Sequence, residues 1–348
     1  GSNWQKFQLN LPIVPITDLA IKENSLIVAT QGRSLWMLDD LTVIHQLEKA
    51  KQGEKNYLIA PKNTYRTKGG GGKASNTAGT NLENGVITYF NLDSYDEKKD
   101  SIHLTYLNLK GDTLASFSNL DKKKEKKLKV EKGANKFVWN TRTEGAEKFD
   151  GMILWWASLI GAKVVPGAYK VSLMVNNKAQ NQPFKILADP RAEVSLEQMQ
   201  EQYYFVNDVN QTIDEAHKSI KKIRKINGQL SSFIKQYENE EAVSDLVAKA
   251  KELKKSFSEI EKALYQTKNK SNQDPLNFPI KLTNKLAHLN SLVTMDDFPP
   301  TAQDIAVKNE LSTEINKELD AFNTLITKEI KGFNDSFNSL KLDYLILE

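Results

Sequence analysis

At 348 residues the chain is long enough for two or three domains, and 39% hydrophobic with 26% charged residues is ordinary for a globular protein. A net charge of +4, from 48 basic and 44 acidic residues, argues against a dedicated nucleic-acid surface, which needs a clustered excess. Without cysteine there is no disulfide, thiol nucleophile or cysteine-ligated metal, and no apolar run approaches the ~20 residues that span a bilayer.

The first organised stretch runs from Asp18 to Leu41. Leu19 and Ile21, then Leu26, Ile27 and Val28, form two short apolar runs around the polar tetrad Lys22-Glu23-Asn24-Ser25. Thr30-Gln31-Gly32-Arg33 reads as a second turn, with Gly32 free to take a positive φ. Ser34 to Leu38 alternates, and Asp39-Asp40 ends that strand. Short strands joined by tight turns predict a propeller-blade or sandwich sheet.

The segment NLPIVPITDLAIKENSLIVATQGRSLWMLDD closely resembles the last blade of bacterial sortilin-type, Asp-box (BNR repeat) β-propeller proteins, usually labelled glycosyl-hydrolase-like. Asn3-Trp4-Gln5 resembles the tail of an Asp-box, and Gly1-Ser2 an expression scar. The resemblance continues more weakly through GTNLENG, NKFVWNTR, VVPGAYKV and LADPR. It implies an exported parent, periplasmic or secreted, with the propeller upstream. It says little about activity.

Thr42 to Leu47 leaves the blade, and TKGGGGKASNTAGTN is a flexible linker by composition. A phosphate loop is rejected there, because Ala74 sits where the motif needs a hydroxyl. Gly85 to Asp189 is all-β: strands at Val86–Phe90, Ile102–Leu107, Thr113–Phe117, Asn135–Arg142, Gly167–Val175 and Ala179–Leu187 predict an immunoglobulin-like sandwich. KFVWNTR with PGAYKVSLMV is also similar to the Ig-like module of flagellar-hook-capping proteins, a likeness of fold alone. The basic run Asp121–Lys127 reads as a solvated hairpin tip. Phe149–Ile160 is apolar for a loop and is expected to pack on the sandwich or its neighbour. Its Trp155 and Trp156 are candidates for stacking on a sugar face.

Beyond Asp189-Pro190-Arg191 the period becomes helical. Ser195 with Gln198 forms a capping box, with Val194 and Met199 as its staple. Met199, Val206, Ile213, Ile220 and Ile234 make one heptad row, and Val209, Ala216, Ile223, Leu230 and Tyr237 a second. Three further helices carry Val243 to Leu264, Leu282 to Val293, and a stripe from Leu311 to Leu340 opened by Pro299-Pro300-Thr301. Short connections predict an antiparallel bundle, either closed or with one seam left for dimerisation.

The architecture expected is therefore multidomain, β then α. A remnant β-propeller blade covers 1–48, a linker 49–84, an Ig-like β-sandwich 85–190 and an α-helical bundle 191–348. Chemistry is sparse. His45, His103, His217 and His288 lack metal-ligand spacing and read as surface or satisfied histidines. Asp93, Asp96 and Asp100 lack the glycine and closing glutamate of a calcium loop. Asp39 and Asp40 point to opposite faces of a strand and cannot pair as glycosidase carboxylates. Asp18 reads as structural. No catalytic residue, cofactor or metal ligand is assigned. In the resembling blades the Gly-Arg pair lies at the turn into an outer strand, so Arg33 is a candidate for an anionic ligand, against an inter-blade contact. The expectation is a non-catalytic accessory region supporting assembly or partner binding. The alternative is a carbohydrate-binding region, or one wall of a glycoside hydrolase site. Expected partners are the upstream propeller, a glycan or protein, and a second copy through the helices. No nucleic acid and no membrane span is expected.

Overall fold

The computed structural model describes residues 4–52, 55–67 and 79–340. It is a mixed architecture, β first and α after, and it divides into two compact units. Unit 1 comprises 1–142 and 165–192, and unit 2 comprises 143–164 and 193–348. The Gly-rich tract with Gly72, Lys73 and Ser75 lies outside the described residues.

Unit 1 begins with an antiparallel meander, β1 (Ile16–Lys22), β2 (Ser25–Thr30) and β3 (Leu35–Leu38). Glu23 and Asn24 both have positive φ, 48° and 68°, which gives the tight two-residue hairpin that matches strand twist. Gly32 takes φ 81° at the second turn. The register puts Leu19, Ile21, Leu26, Val28, Trp36 and Leu38 on one face, and Asp18, Ala20, Lys22, Ser25, Ile27, Ala29, Leu35 and Met37 on the other. The first face is apolar and the second is mixed, yet no residue of the three strands is buried, and Ile21 is 70% and Leu35 69% exposed. A lone blade is expected to cover its apolar side chains by packing onto the sandwich that follows; instead the meander buries no strand residue, and it is tied at its end through buried Leu41 and through Lys62, whose ammonium reaches the Glu23 and Asp39 carbonyls.

Among the described residues of the expected linker, 49–84, there are regular elements. A helix α1 (Thr42–Gln52) starts where the Asp40 carboxylate accepts the Thr42 amide. Gln46 then exchanges two hydrogen bonds with the Ala60 backbone. The short strands β4 (Tyr57–Leu58) and β5 (Thr64–Arg66) join the sheets that follow.

Those sheets are built from β6 (Val86–Leu92), β7 (Ile102–Asn108), β8 (Thr113–Ser118), β9 (Gly133–Trp139), β10 (Gly167–Val175) and β11 (Lys178–Ala188). One has the order β4-β6-β9, the other β5-β11-β10-β7-β8, in which β5 runs parallel to β11 and the other neighbours are antiparallel. Alternating burial along β6 and β7 marks one inward face on each. Across the gap Tyr106 stacks on Trp139 at 4.4 Å between ring centroids, and its hydroxyl bonds Thr88 Oγ1 at 2.7 Å. Burial drives the Tyr106 hydroxyl pKa far above its ordinary value, with the Thr88 bond opposing more weakly. Asp121–Lys127 is largely solvated, as expected.

Unit 2 holds α2 (Leu196–Tyr237), α3 (Ser244–Leu264), α4 (Leu282–Val293), α5 (Ala302–Thr324) and α6 (Lys331–Ser339), the last two joined by a π-helical turn, Leu325–Ile330. The Ser195–Gln198 capping box forms as expected. Thr301 and Asp304 form another at the start of α5. Val206, Val209, Ile213, Ala216, Ile220 and Ile223 are at most 1% exposed and meet Phe257, Leu286, Ile315 and Phe322 in one apolar core. A buried aliphatic or aromatic side chain contributes about 1.5–3 kcal/mol, so these rows hold the helices together.

Candidate functional site

The feature of unit 2 that stands out chemically is a strap, residues 143–164, laid over α2, α3 and α4. Its two arms run side by side, with the Thr143 amide donating to the Ala162 carbonyl (2.8 Å) and the Ala146 amide to Leu159 (3.0 Å). Phe149, Leu159, Ala146 and Ala162 enter the helical core. The apolar loop thus packs on helices, the second of the two expected surfaces.

A polar row on α2 grips the strap. Asn207, Asn210, Asp214, His217, Lys221 and Arg224 recur every three or four residues, which puts them on one side of the helix. Asn207 accepts from the Thr143 hydroxyl, and Asn210 donates to the Ile160 carbonyl. Asp214 accepts the Glu147 amide, while His217 Nδ1 donates to the Glu147 carbonyl at 2.6 Å. Lys221 pairs with the Glu147 carboxylate at 2.7 Å. Arg224 donates to the Asp150 carbonyl, pairs with Glu261 and lies 4.6 Å over the Phe149 ring. Burial opposes charge on Asp214, but the Lys218 ammonium and the Glu147 amide outweigh it and hold its pKa below the usual carboxylate value.

The far arm is held by α3 and α4. Tyr265, just after α3, accepts the Ile153 amide through its hydroxyl. Asn284 accepts the Trp155 amide (2.7 Å) and donates to the Trp155 carbonyl (2.8 Å). Asn290 donates to the Ser158 and Ile160 carbonyls. His288 Nδ1 donates to the Trp156 carbonyl, and Ser291 reaches the same oxygen at 3.5 Å.

The strap places two of the candidate residues together. Trp155 is half-buried, Trp156 is 74% exposed, and their ring centroids are 6.4 Å apart with planes tilted by 31°. Trp156 has φ 48°, a left-handed conformation that costs a bulky residue on the order of 1–2 kcal/mol. Strain of this kind persists only where the surroundings fix it, and here they fix an indole facing water. Arg33 is in the other unit, on the turn before β3. Its side chain is exposed and its carbonyl accepts the Trp36 indole N–H at 2.9 Å.

Among the other residues weighed, Asp18 accepts the Leu19 amide, a structural role as expected. Asp100 accepts from Asn176 and the Asp96 amide, which lower its pKa in that order. His103 meets Ser101 at 2.9 Å and His45 is exposed. His217 departs from the expectation of a surface or satisfied histidine. It is wholly buried, and its Nε2 has no hydrogen-bond partner among the described residues. The gripping row was missed because only the apolar heptads were followed; the same spacing in polar residues was the available signal. No group of three metal-ligating side chains occurs among the described residues, and no helix there is long and apolar enough to cross a membrane.

No protein-family model, no curated protein and no solved structure matches the chain.

Proposed function

We propose that the chain is a non-catalytic accessory region of an exported sortilin-type, Asp-box propeller protein, supporting assembly or partner binding. The observation that carries this is the β1–β3 meander, which has large apolar side chains on both faces and buries neither. A sheet that closes a domain by itself hides at least one face; a propeller blade is covered on both sides by its neighbours. On this reading β1–β3 is a blade, and the facing sheets behind it form an immunoglobulin-like sandwich. The helices of unit 2 form an antiparallel bundle. The partners are then the propeller itself and a protein or glycan, with a second copy through the helices as a further contact. The location is periplasmic or secreted. Arg33, at the turn into β3, is the residue through which a blade would touch a neighbour or an anionic ligand.

A second reading, a carbohydrate-binding region, is favoured by one observation: Trp156 is held out to solvent on a fixed backbone beside Trp155, an arrangement suited to stacking on a sugar face. Assaying the product of the intact gene and this chain against a broad glycoside panel and a glycan array separates the two. Silence of this chain on the array supports the accessory role. Glycan binding that Trp156→Ala abolishes would replace it with the carbohydrate reading, and hydrolysis by this chain alone would overturn both.

A further inference from the structure

His217 sits at the middle of the row that grips the strap, and its two ring nitrogens have opposite situations. Nδ1 faces the Glu147 carbonyl at 2.6 Å, an oxygen that can only accept, so Nδ1 carries the hydrogen. Nε2 is then a bare lone pair, fully buried and without a hydrogen-bond partner among the described residues. Phe149 closes over the ring edge-on, its centroid 5.1 Å away, and Phe149 is itself pressed by Tyr265 and by Arg224.

A neutral imidazole tolerates this place. An imidazolium does not, because its second N–H would point into the core with no acceptor. The surrounding charges do not compensate. Glu147, on the strap, is paired with Lys221, and Asp214, on α2, with Lys218. Glu261, on α3, is paired with Arg224, while Lys148 and Asp150 of the strap are exposed. Desolvation accordingly outweighs the pull of the Glu147 carbonyl, Asp214 and Glu147, and lowers the His217 pKa from 6.5.

We propose that the strap is a pH-operated latch, closed while His217 is neutral and opened when the ring takes up a proton. Phe149 closes over the ring and Glu147 is bonded to it, so lifting that part of the strap would open the ring to water, and those residues are part of the strap's hold on α2. Because the ring binds its proton less readily in the closed form, closure is stabilised above the ordinary imidazole pKa and weakens as pH falls below it. This rests on the strap geometry alone and stands whether or not the meander is a propeller blade.

The test is amide hydrogen exchange of the strap in the intact chain, at pH 7.5 and 5.5, with intrinsic exchange rates corrected for pH, in wild type and in His217→Gln. In wild type the opening equilibrium read at the Glu147 amide, which Asp214 accepts beside His217, rises on acidification, by up to about tenfold per pH unit. His217→Gln, which keeps a donor for the Glu147 carbonyl but does not titrate, shows no such rise. An unchanged wild type, or an equal rise in the variant, overturns the latch. If the variant does not fold, imidazole NMR of wild type decides: an imidazolium at position 217 with the strap amides still protected overturns the proposal, and loss of protection in step with protonation upholds it.

Discussion

Gly145 and Gly161 lie opposite each other where the two arms of the strap run closest. A Cβ on Gly161 would sit 1.9 Å from the Thr143 carbonyl oxygen, and one on Gly145 2.0 Å from that of Leu159. Both obstacles are backbone and cannot swing aside. Gly161→Ala and Gly145→Ala therefore each force the arms apart and cost on the order of 2 kcal/mol. Chemical denaturation followed by tryptophan fluorescence checks this, and either variant as stable as wild type would place the arms further apart than described.

Asn284 serves Trp155 twice, accepting its amide and donating to its carbonyl, and is 5% exposed. Asn284→Ala leaves both backbone groups without that partner. We expect a loss of about 2–3 kcal/mol, with faster hydrogen exchange confined to the stretch from Ile153 to Ser158. Exchange unchanged there would show that Asn284 does not hold the loop.

Trp156 offers a test of its own backbone. At φ 48° a residue with a Cβ is strained and glycine is not. Trp156→Gly should be more stable than Trp156→Ala by about 1 kcal/mol, the reverse of the usual order. The opposite order in paired denaturation curves would contradict the left-handed conformation.

In unit 1, Tyr106 and Thr88 share a buried hydroxyl–hydroxyl bond. Tyr106→Phe strands the Thr88 hydroxyl and should cost about 1–2 kcal/mol, whereas Tyr106→Phe with Thr88→Val removes both partners and should recover most of it. The same burial predicts that Tyr106 does not ionise in an alkaline titration while the fold persists.

What was legible in the sequence was what repeats. The rows through Val206, Ile213 and Ile220 and through Val209, Ala216 and Ile223 announce a core because helical spacing is intrinsic to the chain. The β6–β11 strands could be placed within a residue or two, except that β9 ends at Trp139 and not at Arg142. The strap has no period: it is ordered by side chains of α2 and α4 that are remote in sequence, and Phe149–Ile160 shows only that it is apolar. β4 and β5 were hidden for a similar reason. The Leu58 amide is satisfied by the Gln180 side chain, so that strand exists through its partner. Helix α1 was missed although Asp40 stands two residues before Thr42, because the strand-end reading of Asp39-Asp40 left no place for an acceptor at a helix start. Of the candidate residues, Trp155 and Trp156 are adjacent in sequence and so stand out, whereas the row gripping the strap beneath them, with His217 in it, is spread over about five turns of α2.

On the proposed reading β1–β3 is a blade covered on both faces in the intact product. Hydroxyl-radical footprinting of Leu19, Ile21, Leu35 and Met37, in this chain and in the product of the intact gene, tests it most directly. These side chains are 60–70% exposed here and should label readily. The account predicts strong protection of both pairs in the intact product, since Leu19 and Ile21 lie on one face and Leu35 and Met37 on the other. Equal labelling in the two, or an intact product no longer than this chain, would contradict it.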